Sequence, residues 1–268
     1  MSQSPLIFLG LLFSFALSWM GIVFAPQLQL GREDAVATEA GINYPSVRRT
    51  MGNQGEEVYR QNGCIACHSQ QVRPRGYGGD IQRGWGIRRT VAQDYLRDEP
   101  PLLGTHRFGP DLANIGIRGT TNFASTSAFH SGTNSAAEIF NWHLTHLYNP
   151  QITSPGSIMP GYPYLFTKRQ ITGRQSDDAL VISGSYAPEK GYEIVPRPEA
   201  YAMVNYLLSL HSDVDLFEAP LPPGPTNALK KATNGVGKAT NNIATGTSTN
   251  ASPGNTNVQG SSTPAAAK

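Results

Sequence analysis

Cys64-Ile65-Ala66-Cys67-His68 decides how this chain is built. The spacing is C-x-x-C-H, the pattern of covalent c-type haem attachment. Two thiols that far apart can each add to a haem vinyl group, and the histidine that follows turns its imidazole toward the iron from one face. These are the only two cysteines in the chain, so no thiol is left for a disulfide framework. A zinc site would require a second Cys/His pair at ligand spacing, and none is present. A redox Cys-x-x-Cys has no need of the trailing histidine. The motif therefore predicts one covalent haem c, bound by Cys64 and Cys67 with His68 as an iron ligand. Such haem is attached outside the cytoplasm, so the domain must be exported.

The rest of the composition agrees with a cofactor-built domain. The chain has 268 residues, 15% charged and 39% hydrophobic, with 28 glycines and 20 prolines. That predicts one or two domains with much loop and a small apolar core, which haem burial would supplement. The formal net charge of +2 argues against a nucleic-acid partner. Export is served by the amino terminus: Pro5 to Ala25 holds no charged residue. About twenty apolar residues is the length of a bilayer-spanning helix. Trp19 falls late in the run, at interfacial depth. A cleaved signal peptide is the rival, but there is no basic n-region and no clear A-x-A site, so an uncleaved anchor is favoured. The haem then sets orientation, with the short amino terminus inside and everything after Ala25 outside.

Residues 26–50, with Pro26 and Pro45, read as a linker. A short helical pattern over 52–66 runs into the haem motif, with Val58 on the face of Ile65. Residues 69–108 are rich in Gly, Pro and Arg and lack periodicity; a loop that long is functional or disordered. Residues 134–147 predict a helix capped by Asn134 or Ser135, with Ile139, Trp142, His143 and Leu147 near one face. Residues 198–210 predict the clearest helix: Pro198 suits its first turn, Glu199 its positive end, and Ala202, Tyr206 and Leu210 form a stripe. From 219 to 268 the chain is an Asn/Thr/Ser/Gly/Pro/Ala tail that cannot bury enough surface to fold. The expected organisation is an anchor over 1–25, a linker over 26–50, a mainly α haem domain over 51–218 and a disordered tail over 219–268.

Haem iron used for electron transfer is normally six-coordinate, which calls for a second ligand. Met1 and Met20 belong to the anchor region, Met51 lies too close upstream of the motif, and Met203 reads as helix core. Met159 remains, in Ser157-Ile158-Met159-Pro160-Gly161-Tyr162-Pro163, a proline-stiffened mount for a soft thioether that raises the potential. His106, His130, His143 and His146 are the alternatives.

Gly109-Pro110-Asp111-Leu112 resembles the G-P-x-L turn of class I cytochromes c. The resemblance implies that the Pro110 carbonyl accepts the hydrogen bond of the haem histidine. It also implies a fold in which the first and last helices of the domain cross, bringing Val58 or Tyr59 near Tyr206, with 69–108 as a long loop insertion. A narrower resemblance covers roughly residues 5–25 and 55–211. Cys67-His68-Ser69-Gln70 with Arg73-Pro74, then Arg107, Gly109 to Ala113, Gly116 and Arg118, resemble the monohaem subunit II of cbb-type haem–copper cytochrome c oxidases. So do His146-Leu147-Tyr148-Asn149-Pro150, the Met159 to Leu165 run and Glu199-Ala200 leading into Tyr206 to Leu210. Residues 75–100 fit loosely, 167–197 look expanded, and the polar tail lies outside the pattern.

The family resemblance implies a single-pass subunit of the bacterial inner membrane with its haem domain on the periplasmic side. It would take electrons from a further c-type cytochrome and pass them to a catalytic haem–copper subunit that reduces oxygen. No oxygen chemistry would occur on this chain. Arg73, near the motif and matched in the family, is the expected partner of a haem propionate. The alternatives are the cytochrome c subunit of a nitric oxide reductase and a membrane-tethered electron shuttle. A peroxidase would need an open iron position.

Overall fold

A computed structural model describes residues 3–31, 33–38, 41–118 and 136–222. The chain divides into two units, Met1–Pro222 and Pro223–Lys268, and every described residue belongs to the first. The sequence-predicted tail beyond Pro222, His130 and the caps Asn134 and Ser135 lie outside the described residues.

The apolar amino terminus is helical further than the apolar run over residues 5–25 suggests. α1 (Ser4–Trp19) passes through a π turn, Met20–Phe24, into α2 (Ala25–Leu30). The 27 residues Ser4–Leu30 are long and apolar enough to cross a membrane, and none is buried against the protein. At 1.5 Å per residue they extend about 40 Å, more than the ~30 Å hydrocarbon layer. Pro26 explains the π turn. A proline ring clashes with the carbonyl four residues back and offers no N–H. Widening the preceding turn, where the Ala25 N–H bonds the Met20 carbonyl, lets the helix continue through it.

Residues 26–50 are not all linker. β1 (Val36–Ala37) pairs with β2 (Asn43–Tyr44) antiparallel. Tyr44 is buried with Val91, Leu216 and Ala219, and its hydroxyl donates to Asp94 at 2.6 Å and to the His211 carbonyl at 3.1 Å. Ala219 is thus core, and the fold continues one residue past the expected boundary at 218.

The haem-domain helices follow. α3 (Thr50–Gln61) buries Gly52, Gly55 and Tyr59, spaced three and four apart along one stripe. α4 (Ala136–Tyr148) buries Ile139, His143, Leu144 and Leu147. α5 (Pro150–Thr153) starts at once, because Asn149 turns the chain and its side chain accepts from Gln151 N at 3.0 Å. α6 (Pro198–Leu208) buries Ala200, Ala202, Met203, Val204, Tyr206 and Leu207. The expected crossing is present: Tyr59 of α3 meets Tyr206 of α6 with ring centroids 5.2 Å apart. Gly55 makes it close, since a Cβ there would lie 1.9 Å from the Ala202 carbonyl oxygen. Met203 is core, as its helical position predicts.

A mainly α reading misses a second hairpin inside the expanded segment. β3 (Phe166–Gln170) pairs antiparallel with β4 (Tyr192–Pro196), from Phe166 opposite Pro196 to Gln170 opposite Tyr192. Its alternation is masked by Glu193, which is buried, but as an anchor: Arg169 Nε donates to it at 2.7 Å and Ser176 N at 2.8 Å. The excursion 69–108 is ordered without regular elements beyond one 3-10 turn, Ala92–Tyr95.

Candidate functional site

The haem motif leaves α3 through a sharp reversal. Asn62 N closes the last turn on the Val58 carbonyl. Gly63 then adopts φ +67°, a left-handed conformation that favours a residue without Cβ. Cys64–Ala66 form a 3-10 turn, and the N–H groups of Cys67 and His68 both bond the Cys64 carbonyl, at 3.1 and 2.9 Å. Neither cysteine is in a disulfide. Cys64 is buried and Cys67 exposed. Burial pushes the Cys64 thiol up to about 11.

A second segment clamps the first. Gly109 N bonds the Cys67 carbonyl at 3.0 Å, and His68 Nδ1 lies 2.8 Å from the Pro110 carbonyl oxygen. A carbonyl only accepts, so Nδ1 carries the proton and Nε2 keeps its lone pair. Burial lowers the pKa of His68, against the Pro110 bond, which favours the neutral ring that binds metal. Gly109 is a cradle: a Cβ there would lie 2.2 Å from His68 Cε1, inside the imidazole's own space. Asp111 fixes the turn. Its buried carboxylate accepts from Ser69 Oγ at 2.6 Å, Gln71 N at 2.7 Å and Ala113 N at 2.9 Å. Burial still raises its pKa, partly offset by those bonds.

The Met159 loop folds against the same turn. Tyr162 N bonds the Leu147 carbonyl at 2.8 Å, and Gln151 receives Gly156 N at 2.9 Å and donates to the Ser157 carbonyl. Tyr162 packs partly buried against the core cluster that contains Cys64, and Tyr164 donates to Asn62 Oδ1. Met159 itself is partly buried against the core that includes Cys64, beside which Ile65 and Tyr162 also pack. Of the alternative ligands, His106 is exposed and stacked on Phe108, 5.4 Å between centroids. His143 Nδ1 bonds the Ile139 carbonyl of its own helix at 2.8 Å. His146 stacks on Trp142 at 4.6 Å with Nδ1 2.6 Å from Thr153 Oγ1. Burial, then the nearby His143 and His68, hold His146 down at about 4.

The donor set fits a c-type haem. It comprises two cysteines on one turn, neither in a disulfide, an imidazole with Nδ1 tied to the Pro110 carbonyl, and a glycine cradle that only a missing Cβ permits. Cys64, Cys67 and His68 would hold the group, with Met159 on a loop packed against the core cluster that contains Cys64.

A family model described as "Cytochrome C oxidase, mono-heme subunit/FixO" matches residues 3–187. The chain belongs to this family. The FixO match spans the membrane-length helix, the C-x-x-C-H segment, the Pro110 turn and Met159, and it stops short of α6. A search of curated proteins finds no match. Membership makes this a mono-haem subunit of a cytochrome c oxidase, which agrees with a single pair of cysteines.

For this FixO-family chain the structure assigns partners the sequence did not foresee. Arg73 is committed to Asp80, which accepts from Arg73 N at 2.8 Å, Nε at 3.1 Å and a terminal nitrogen at 2.9 Å. Arg107 joins the same buried carboxylate at 2.6 Å. Burial alone would raise Asp80, but the bonds from Arg73 and Arg107 outweigh it and hold it at about 2. Asp80 gave no signal in the sequence, because a lone aspartate in a Gly/Arg-rich loop looks solvated. Tyr162 was legible only as a loop residue two positions beyond Met159-Pro160. Arg118 is buried on the Pro110 turn and donates to the Asp111 carbonyl.

Proposed function

We propose that this chain is the electron-transfer subunit of a cbb-type cytochrome c oxidase. Cys64 and Cys67 would hold one haem c covalently, and His68 and Met159 would supply its iron ligands. The domain follows the class I cytochrome c pattern, with long loop insertions. The observation that carries the reading is the His68 Nδ1 bond to the Pro110 carbonyl. It orients the imidazole, raises its basicity and leaves Nε2 as the metal-binding nitrogen, directly after the turn that carries Cys64 and Cys67. When bound, the haem supplies a reversible one-electron couple; the protein sets its potential, burial and docking. Met159, its N–H held by Ser157 Oγ and its side chain partly buried against the core cluster that contains Cys64, is the methionine best supported as the second iron ligand. With His68 and Met159 both engaged, the group would support outer-sphere electron transfer.

The helix Ser4–Leu30 would anchor the subunit beside its catalytic haem–copper partner, with the haem domain on the periplasmic side of the bacterial inner membrane. A further c-type cytochrome would donate electrons. The test is gentle extraction of tagged chain from membranes, haem staining on a denaturing gel, and haem typing of what co-purifies. Covalent c-type haem on this chain, with b-type haem and oxygen consumption in the complex, is expected. Nitric oxide consumption would assign the complex to a reductase instead. Covalent haem without a stoichiometric partner would make the chain a tethered shuttle. An unstained chain would refute the haem assignment.

A further inference from the structure

We propose that Gln151 is the positioning residue for the Met159 sulfur, its side-chain amide stapling the ligand loop to α5 through the Gly156 N–H and the Ser157 carbonyl. The inference rests on the reading of Met159 as second iron ligand and goes beyond it by naming what holds that ligand in place.

Met159 lies between two anchorages. Downstream, the loop returns onto the end of α4. Tyr162 N bonds the Leu147 carbonyl at 2.8 Å, and a Cβ on Gly161 would lie 2.7 Å from the Tyr148 carbonyl oxygen. That anchorage is backbone against backbone. The upstream one is a side chain: Gln151 Oε1 accepts from Gly156 N at 2.9 Å, and Nε2 donates to the Ser157 carbonyl. Among the described residues, no other hydrogen bond joins residues 155–159 to a helix. Apolar burial does not replace it, because Ile158, beside Met159, is 81% exposed. Ser157 passes the constraint on, its Oγ accepting from Met159 N at 3.2 Å.

Gln151 is itself fixed. Its N–H donates to Asn149 Oδ1 at 3.0 Å, and it follows the buried Pro150. Thr153 Oγ1, at the end of α5, lies 2.6 Å from His146 Nδ1 of α4. The staple therefore hands the rigidity of a core helix to the loop. The residue type matters as well. Gly156 N–H and Ser157 C=O call for one acceptor and one donor on a single side chain, which a primary amide supplies. A carboxylate only accepts and would set an oxygen against the Ser157 carbonyl. An ammonium only donates and would leave Gly156 N unserved.

Each neutral side-chain bond shifts an equilibrium about fivefold, so losing both should raise the fraction with sulfur off the iron roughly 25-fold. An added ligand that competes with the sulfur reports that fraction through its apparent affinity.

The experiment uses the tagged full chain, solubilised so that it carries only its own haem, unaltered and as Gln151→Ala, Gln151→Glu and Gln61→Ala. Gln61, an exposed amide on α3, is the control. Three quantities are read: covalent haem per chain, the sulfur-to-iron charge-transfer band of the oxidised form, and the Kd of added imidazole. Gln151→Ala should keep its covalent haem, weaken the band and lower the imidazole Kd roughly 25-fold. Gln151→Glu should weaken the band too, although it has the same shape, and Gln61→Ala should move neither readout. An imidazole Kd unchanged in Gln151→Ala overturns the proposal even where Tm falls, since a merely structural role does that much. So does a Gln151→Glu chain with band and Kd unchanged. If the Gln151 variants do not mature, hydrogen exchange is read on the Met159→Leu chain. Residues 154–159 protected there as strongly as α5 support the staple, because no iron bond then holds the loop; exchange as fast as in an open loop overturns it. A charge-transfer band that persists in Met159→Leu overturns the ligand reading and this inference with it, a distinguishable outcome.

Discussion

Gly55→Ala should destabilise the domain although alanine is the better helix former. Replacing a helix-interior glycine gains about 1 kcal/mol of propensity. At Gly55, however, the new Cβ would lie 1.9 Å from the Ala202 carbonyl oxygen and 2.7 Å from Tyr206 Cβ. A carbon approaches a carbonyl oxygen to roughly 3.3 Å at best, so α3 and α6 must part by ~1.4 Å. The obstacle is backbone, which no rotamer change can move aside. Parting the helices loosens the Tyr59–Tyr206 contact and the burial of Met203 and Val204 beneath it. Overpacking costs of this kind run to about 3 kcal/mol, leaving a net loss of ~2 kcal/mol. For a domain of this size that lowers Tm by ~4–8 °C. The assay is thermal unfolding of the detergent-solubilised chain followed by circular dichroism. Gly52→Ala is the internal control: its Cβ would meet Arg48 Cβ at 3.4 Å, an ordinary contact, so propensity should prevail and Tm should rise. A Gly55→Ala chain as stable as the unaltered one would refute the close-crossing argument.

Other expectations concern the site. Gly109→Ala places a Cβ in the His68 ring, so covalent haem per chain by pyridine haemochrome should fall severalfold while helix content by circular dichroism persists. Met159→Leu should keep the covalent haem, since it leaves both thiols intact, but lower the midpoint potential and admit carbon monoxide to the iron; an unchanged spectrum and potential would reassign the ligand. In chain made without haem, iodoacetamide should modify exposed Cys67 before Cys64, whose burial holds its thiol at about 11; peptide mapping with the reverse order would contradict this. Asp80→Asn leaves Arg73 and Arg107 without their carboxylate and should cost ~2 kcal/mol in denaturant unfolding. Because the folded pKa of Asp80 lies below the ordinary 3.8, at about 2, its stabilisation is full above pH 3.8 and is lost as pH falls through that window. The Asn variant should therefore show a shallower acid limb, and identical limbs would exclude Asp80 as its source.

The local chemistry was legible in the sequence because it is written in adjacent residues. Cys64 to His68 carries its ligand spacing within five positions, and the uncharged run from Pro5 carries membrane length in composition alone. The Gly109-Pro110 turn was legible by resemblance, and His68 Nδ1 lies 2.8 Å from the Pro110 carbonyl oxygen. The helices at 136–148 and 198–208 followed from periodicity, and a crossing of Tyr59 with Tyr206 followed from the family order of parts.

What only the tertiary structure decided are the pairings between distant polar groups. Asp80 reaches Arg107 across 27 positions, and Tyr44 reaches Asp94 across 50. Nothing in a charged residue's neighbours says whether it will be solvated or buried, because that depends on which other segment covers it. Glu193 hid a strand for the same reason, a buried carboxylate breaking the alternation by which strands are read. Arg73 and Arg118 show the limit most plainly. Proximity in sequence favoured Arg73, but folding gave Asp80 to Arg73 and left the buried Nε of Arg118 without an acceptor among the described residues.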